Sequence, residues 1–227
     1  MKKYYMAYDD RYKKIHDKGF LWEEVGNSKV VINTINKYSI KKQDMILDLG
    51  SGEGRDSIFL LKNGYNVMGI DCSNEAVKTC IKICQNLGLK NYKFKQVDLV
   101  KDDLEKESKF DFIYSVAVLH MLCEDEDRNN FYKFLKSHLK QDGKALICVM
   151  GDGKNEFVSD YQNAFKEKER FHKESNTFIN VASTSLRILS KENWIKEIEK
   201  NNFVVKEYFL VTDTPGFSEM MCVVLEN

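Results

Sequence analysis

Residues 43–73 read QDMILDLGSGEGRDSIFLLKNGYNVMGIDCS. The segment divides into a short apolar strand from Met45 to Leu49 and a turn with glycines at Gly50, Gly52 and Gly54. An amphipathic helix through Ile58, Phe59, Leu60 and Leu61 follows, stopping at Asn63-Gly64, then a second strand from Asn66 to Ile70 and a terminal acid, Asp71. This is half of a nucleotide-binding βαβ unit. Glycines where a strand hands over to a helix let the backbone approach a ligand, and an acid closing the next strand suits ribose hydroxyls. The glycine spacing is G-x-G-x-G. The dinucleotide fingerprint is G-x-G-x-x-G, and a phosphate-binding P-loop needs a G-K-[ST] that is absent here.

Working outward, Ser73 caps a helix whose Val77, Cys80, Ile81, Cys84 and Leu87 fall at helical spacing before Gly88, which places Cys80 and Cys84 in the core. A third strand, Tyr92 to Val97, leads to Asp98 and Leu99, and residues 102–109 form a charged connection read as a solvated turn or short helix. Strand four spans Phe110 to Val116, and Asp111 at its start is assigned to structure. Ser115-Val116-Ala117-Val118-Leu119-His120 follows without a break. The next helix begins at Glu124-Asp125-Glu126-Asp127, closes near Lys136–Lys140 with His138 at the surface, and buries Phe131, Phe134, Leu135 and Leu139. Asp142-Gly143 then turns into strand five, Lys144 to Met150. A last helix starts at Ser190, and Phe203 to Thr212 and Met220 to Leu225 are β-rich runs joined through Pro215-Gly216. So short a connection requires antiparallel pairing.

Together these pieces resemble the class I methyltransferases that use S-adenosylmethionine, with the tellurite-resistance and thiopurine-type small-molecule enzymes the most similar in pattern. The resemblance rests on Asp48-Leu49-Gly50-Ser51-Gly52-Glu53-Gly54, Asp71, Gln96-Val97-Asp98-Leu99, the S-x-x-x-L-H segment and the closing hairpin. In the arm before the first strand, Tyr8-Asp9-Asp10-Arg11-Tyr12 and Phe20-Leu21-Trp22-Glu23 are similar to short pieces of that family. The resemblance implies S-adenosylmethionine as cofactor, leaving as S-adenosylhomocysteine. Its amino-acid part would lie on the loop of Asp48, Gly50, Ser51, Gly52 and Gly54, its ribose on Asp71 beside Cys72, and its adenine amine and ring on Asp98 and Leu99. Ser115 and Trp22 complete the implied cofactor set, although Trp22 can equally anchor the arm. His120 would sit beside the transferred methyl group, as a polar contact or as a general base, or else as a satisfied core residue.

The implied fold is one α/β domain over residues 1–227, Rossmann-like and doubly wound, with a seven-stranded mainly parallel sheet and an antiparallel C-terminal hairpin. Residues 1–40 form an N-terminal arm, 41–150 the cofactor-binding core, 151–190 an insertion and 191–227 the last helix and hairpin. The insertion leaves strand five at the end where such folds place ligands and is too long for a routine connection, so it reads as a substrate lid. Within it Phe157, Val158, Tyr161, Ala164 and Phe165 suggest an amphipathic helix, Lys166 to Arg170 a solvated charge run, and Arg187 and His172 are candidate contacts for an anionic substrate.

Lysine plus arginine equals aspartate plus glutamate at 35 each, so no global basic field attracts nucleic acid. No run approaches a membrane span and no signal-peptide h-region follows Met1, which points to a cytoplasmic protein. The cysteines form no C-x-x-C pair and no metal-ligand spacing, and they read as reduced structural thiols. A small-molecule methyl acceptor is the expected partner, with no metal. The alternatives are a non-catalytic protein that binds the same cofactor and an NAD-dependent oxidoreductase. Glycine spacing, Asp98 and the hairpin count against the second. An amino-methyltransferase of DNA needs an N/D-P-P-Y loop, which a chain whose one proline is Pro215 cannot contain.

Overall fold

A computed structural model describes residues 2–102, 104 and 109–226. A seven-stranded sheet organises it, in the order β10-β11-β5-β4-β1-β2-β3. The strands are β1 (Met45–Leu49), β2 (Asn66–Asp71), β3 (Lys93–Gln96), β4 (Phe110–Val116), β5 (Leu139–Met150), β10 (Val204–Val211) and β11 (Met220–Glu226). Every pairing from β3 across to β5 is parallel, and β11 runs antiparallel to both β5 and β10. The chain winds outward from β1 to β3, then crosses back to place β4 on the other side of β1. That reversal leaves a crevice at the carboxyl ends of β1 and β4, where open α/β sheets bind ligands.

The two faces of the sheet follow from alternation along each strand. Leu47 and Leu49 of β1 join Ile70, Ile113, Ile147 and Val223 on one face, covered by α5 (Asp125–His138) and α6 (Lys191–Lys200) through Phe131, Leu135, Trp194 and Ile198. Ile46 joins Val67, Phe112, Tyr114 and Leu146 on the other, covered by α2 (Lys29–Lys37) and α3 (Arg55–Lys62) through Val31, Ile35 and Leu60. Beside α3, α4 (Asn74–Asn86) buries Val77, Cys80 and Cys84 against Ile58 and Phe94. Ser73 caps α4 by accepting from Ala76 N–H, and Ser190 caps α6 by accepting from Asn193 N–H.

The arm holds α1 (Ala7–His16), with Gly19 and Gly26 in the break between it and α2. Four local expectations are corrected. The segment after β5 has no helix through Phe157–Phe165: β6 (Phe157–Val158) pairs with β9 (Arg187–Ile188), and Tyr161–Asn163 makes one 3-10 turn. Lys166–Arg170 is not a free charge run, because β7 (Glu167–His172) pairs antiparallel with β8 (Thr177–Ala182). The β6–β9 partners are distant in sequence, and their pairing overrides the local helical spacing, whereas β7 and β8 form a local hairpin. His138, expected at the surface, is buried and stacked on Phe134. Strand β5 also starts earlier than Lys144, with a register shift against β4 between Phe110 and Phe112. The connection over 102–109 falls mostly outside the described residues. Among the described residues no helix is long and apolar enough to cross a membrane.

Candidate active site

The turn after β1 is tied to β2 by its backbone. Gly50 N–H and Ser51 N–H both donate to the Ile70 carbonyl at 2.8 Å. Gly52 N–H donates to Asp71 Oδ2 at 2.9 Å, and Ser73 N–H donates to Asp71 Oδ1 at 2.8 Å. Burial raises the Asp71 carboxyl above its ordinary range, while these two N–H groups pull the other way. An ionised carboxylate has about four lone-pair sites, so roughly two remain for ligand hydroxyls after the turn is held. Gly52 has φ +52°, and a Cβ there would meet Glu23 Oε1 at 1.9 Å and the Tyr12 hydroxyl at 2.9 Å. Only a glycine lets the arm close on the turn.

A cavity of about 780 Å³ opens over these strand ends. Its floor includes Gly50, Asp71, Cys72, Asp98 and Leu99, together with Val116, Ala117, Val118 and Met150 from β4, β5 and the loop between. Tyr5, Tyr8, Arg11, Tyr12, Trp22 and Glu23 bring the arm to one side, and Phe157, Ser159, Lys168, Arg170 and Ser183–Leu186 bring the 151–190 segment to another. Ala117 is held at φ +64° beside the glycine turn, an uncommon conformation for a residue with a Cβ. The Trp22 indole lines the cavity and carries the Arg11 guanidinium at 4.6 Å from its ring centroid. Arg11 in turn donates to the carbonyls of Ala182 and Ser183, which joins α1 to the end of β8. At the far end of the floor, the Tyr5 hydroxyl lies 3.0 Å from both Asp98 oxygens and Lys101 Nζ lies 3.1 Å from Oδ2.

His120 reaches the cavity wall in a form that differs from a general base. Its Nδ1 accepts from Met150 N–H at 3.0 Å, so the ring proton of the neutral form resides on Nε2. Burial first, and the Arg128 charge second, push its pKa down to about 3. Near neutral pH it therefore presents a hydrogen-bond donor. Arg128 fixes the segment that carries it, donating to the carbonyls of Leu119 and Leu122 while forming a two-pronged ion pair with Glu197 at 2.6 and 2.9 Å.

Other expected site residues lie behind the wall. Asp48 accepts from the Ser57 and Tyr114 hydroxyls at 2.7 and 2.9 Å, and burial pushes its carboxyl up to about 7. Ser51 turns its side chain toward Gly69, Gly54 backs onto Cys80, and the Ser115 hydroxyl donates to the Leu49 carbonyl. These residues shape the turn from beneath. The two candidate anion contacts are engaged elsewhere: Arg187 pairs with Asp125 at 2.6 Å and donates to the Cys123 carbonyl, and buried His172 bonds the Leu21 carbonyl and Ser175. Neither lines the cavity, which corrects that expectation.

Tyr5, Tyr12, Glu23 and Arg55 are wall residues that the sequence does not announce. Glu23 and Arg55 stood in view, one beside Trp22 and the other immediately after Gly54, but nothing in their spacing said that the arm folds across the turn. Glu23 Oε1 accepts from Glu53 N–H at 3.0 Å. Glu53 in turn accepts from the N–H groups of Trp22 and Glu23 and contacts His16 Nε2 at 2.6 Å. Burial and the neighbouring Glu53 charge push the Glu23 carboxyl up to about 8.

A protein-family profile described as "Methyltransferase domain" matches residues 46–143, from β1 through the start of β5. The chain is a class I S-adenosylmethionine-dependent methyltransferase. Over 161 residues this methyltransferase is 30% identical to the Mus musculus EEF1A lysine methyltransferase 2, covering 68% of the chain and 66% of that relative. Over 169 residues it is 25% identical to the Ubiquinone biosynthesis O-methyltransferase of Rickettsia prowazekii (strain Madrid E), covering 70% of the chain and 64% of that relative. Two solved structures share its fold. The Burkholderia thailandensis 1,6-didemethyltoxoflavin-N1-methyltransferase superposes with a TM-score of 0.67 at 17% identity, covering 98% of this chain and 88% of its own. A TehB-like methyltransferase from Corynebacterium glutamicum gives 0.57 at 18%, covering 86% and 85%.

The site fits that cofactor. Its carboxylates suit a ligand with a sulfonium, an ammonium and ribose hydroxyls, and the buried Arg55 Nε, which has no partner among the described residues, suits a carboxylate.

Proposed function

We propose that this methyltransferase acts on a small acceptor whose nucleophilic atom arrives without a proton, a thiolate or similarly soft anion. The observation that carries this reading is the enclosure of the cavity: the arm and the 151–190 segment both close over the strand ends, leaving about 780 Å³. That lies within the roughly 300 to 1,000 Å³ of small-ligand clefts. In this reading the 151–190 segment is the substrate lid, Asp71 holds the ribose, and Asp98, positioned by Tyr5, receives the adenine amine.

The bound cofactor supplies an electrophilic methyl group on a sulfonium. The protein's contribution is alignment and exclusion of water, and alignment alone can supply about 7 to 11 kcal/mol. His120, with its proton on Nε2, orients an acceptor atom rather than deprotonating it. An anionic nucleophile needs no base, and its reaction with a sulfonium neutralises charge, which a dry site favours. Free thiols at all six cysteines support a reducing, cytoplasmic setting.

A protein lysine is the second reading, favoured by the lysine-methylating relatives. It requires the arm or lid to admit a peptide and another group to take the ammonium proton. Incubation with methyl-labelled cofactor and separate pools of small thiols, other metabolites, RNA and protein discriminates them. Label in small thiols is the expected result, and label confined to protein refutes the small-acceptor reading.

A further inference from the structure

The wall of the cavity beside the glycine turn holds a carboxyl, Glu23, and a guanidinium, Arg55, with unused hydrogen-bonding capacity. Glu23 Oε1 is occupied by Glu53 N–H, but Oε2 has no partner among the described residues, and the side chain lines the cavity. Among the described residues Glu23 also has no salt bridge. The acids Glu53 and Asp56 face it from the turn and α3, the Tyr12 hydroxyl from α1, and Arg55 is the cation near it. Arg55 is engaged with Asp56, Ser28 and the Pro215 carbonyl through its terminal nitrogens, while its buried Nε has no partner among the described residues. A partly desolvated carboxylate without a counter-ion is costly. A ligand ammonium would relieve that cost.

Resting on the cofactor reading above, we propose that Glu23 is the counter-ion for the α-ammonium of S-adenosylmethionine, with Arg55 Nε beside it for the α-carboxylate. The arm, rather than the glycine turn alone, then reads the zwitterionic end of the cofactor. The turn's backbone is already committed: Gly50, Ser51 and Gly52 donate to Ile70 and Asp71, and Glu53 donates to Glu23 itself. Binding has a proton balance. The Glu23 carboxyl, held protonated near pH 7 by burial and by the Glu53 charge, gives its proton to buffer as the ammonium takes its place, and the ammonium keeps all its own protons.

Calorimetry with S-adenosylhomocysteine and with 5′-methylthioadenosine, which lacks the amino-acid end, tests this. Glu23→Gln is expected to weaken S-adenosylhomocysteine on the order of 10-fold or more while leaving 5′-methylthioadenosine within about 2-fold. For the wild-type protein at pH 7, titration in buffers of different ionisation enthalpy is expected to show release approaching about one proton with S-adenosylhomocysteine and none with 5′-methylthioadenosine. This readout needs no variant. Equal weakening of both ligands, or no weakening, or absence of proton release from the wild type, overturns the Glu23 assignment. Failure of the wild type to bind either ligand overturns the cofactor reading itself, so the two failures are distinguishable.

Discussion

Replacing Asp71 by alanine removes two N–H acceptors as well as the expected ribose contact, whereas asparagine keeps one oxygen, so the pair separates scaffold from ligand binding. The carboxylate holds Gly52 N–H at 2.9 Å and Ser73 N–H at 2.8 Å. Hydrogen bonds to a charged group contribute about 1.5 to 3 kcal/mol each, and partial exposure of Asp71 lets water replace some of that, so the lower end applies. Alanine should therefore cost about 3 kcal/mol, and asparagine about half as much. For a chain of this size that is a fall in Tm of roughly 6 to 12 °C for alanine and 3 to 6 °C for asparagine. Affinity for S-adenosylhomocysteine should fall by about one to two decades in both variants, since neither offers a charged acceptor to the ribose. Differential scanning fluorimetry and calorimetric titration measure the two effects. An asparagine variant that binds as tightly as wild type would refute Asp71 as the ribose ligand, and an alanine variant with unchanged Tm would refute its role in holding the turn.

Gly52→Val should abolish cofactor binding and release the arm, because a Cβ at φ +52° would lie 1.9 Å from Glu23 Oε1; normal titration with S-adenosylhomocysteine would show that this turn is not the cradle. Arg128→Ala should destabilise the fold by about 3 to 5 kcal/mol, because it strands Glu197, 14% exposed, without its partner. A urea midpoint equal to that of wild type counts against that ion pair. Glu23→Gln should change how stability of the ligand-free protein depends on pH. With the folded pKa raised from 4.5 to about 8, the wild-type contribution is complete below pH 4.5 and is lost as pH climbs through 8. The variant should lose less stability than wild type as pH rises from 4.5 to about 8, the window set by that shift; parallel stability curves would contradict the assignment.

The β1–turn–α3–β2 unit was readable from residues 43–73 because its determinants are local. An apolar strand needs only its own five residues, Met45–Leu49, to declare itself, and a turn with three glycines at positive φ declares the conformation it needs. Asp71 and Asp98 were placed by the same logic, as acids at strand ends. The antiparallel edge followed from a connection too short for a parallel crossover, and it is present in β10 and β11, whereas the order of the strands came only from the tertiary structure.

The rest depended on contacts between residues far apart in sequence. His120 sits in an apolar run that serves a catalytic base or a core residue equally well, and only the Met150 N–H approaching Nδ1 decides which nitrogen carries the proton. Arg187 and His172 resembled anion contacts until Asp125 and the Leu21 carbonyl were found beside them. The helical spacing of Phe157–Phe165 gave way to a short strand and a 3-10 turn, with β6 finding its partner about thirty residues on at Arg187–Ile188. Glu23 and Gly52 lie in different parts of the chain, and no periodicity in either predicts that a carboxylate of the arm closes on that glycine. Local conformation is set by neighbouring residues, but a side chain's protonation, its partner and the wall it helps form are set by whichever distant segment folding packs against it.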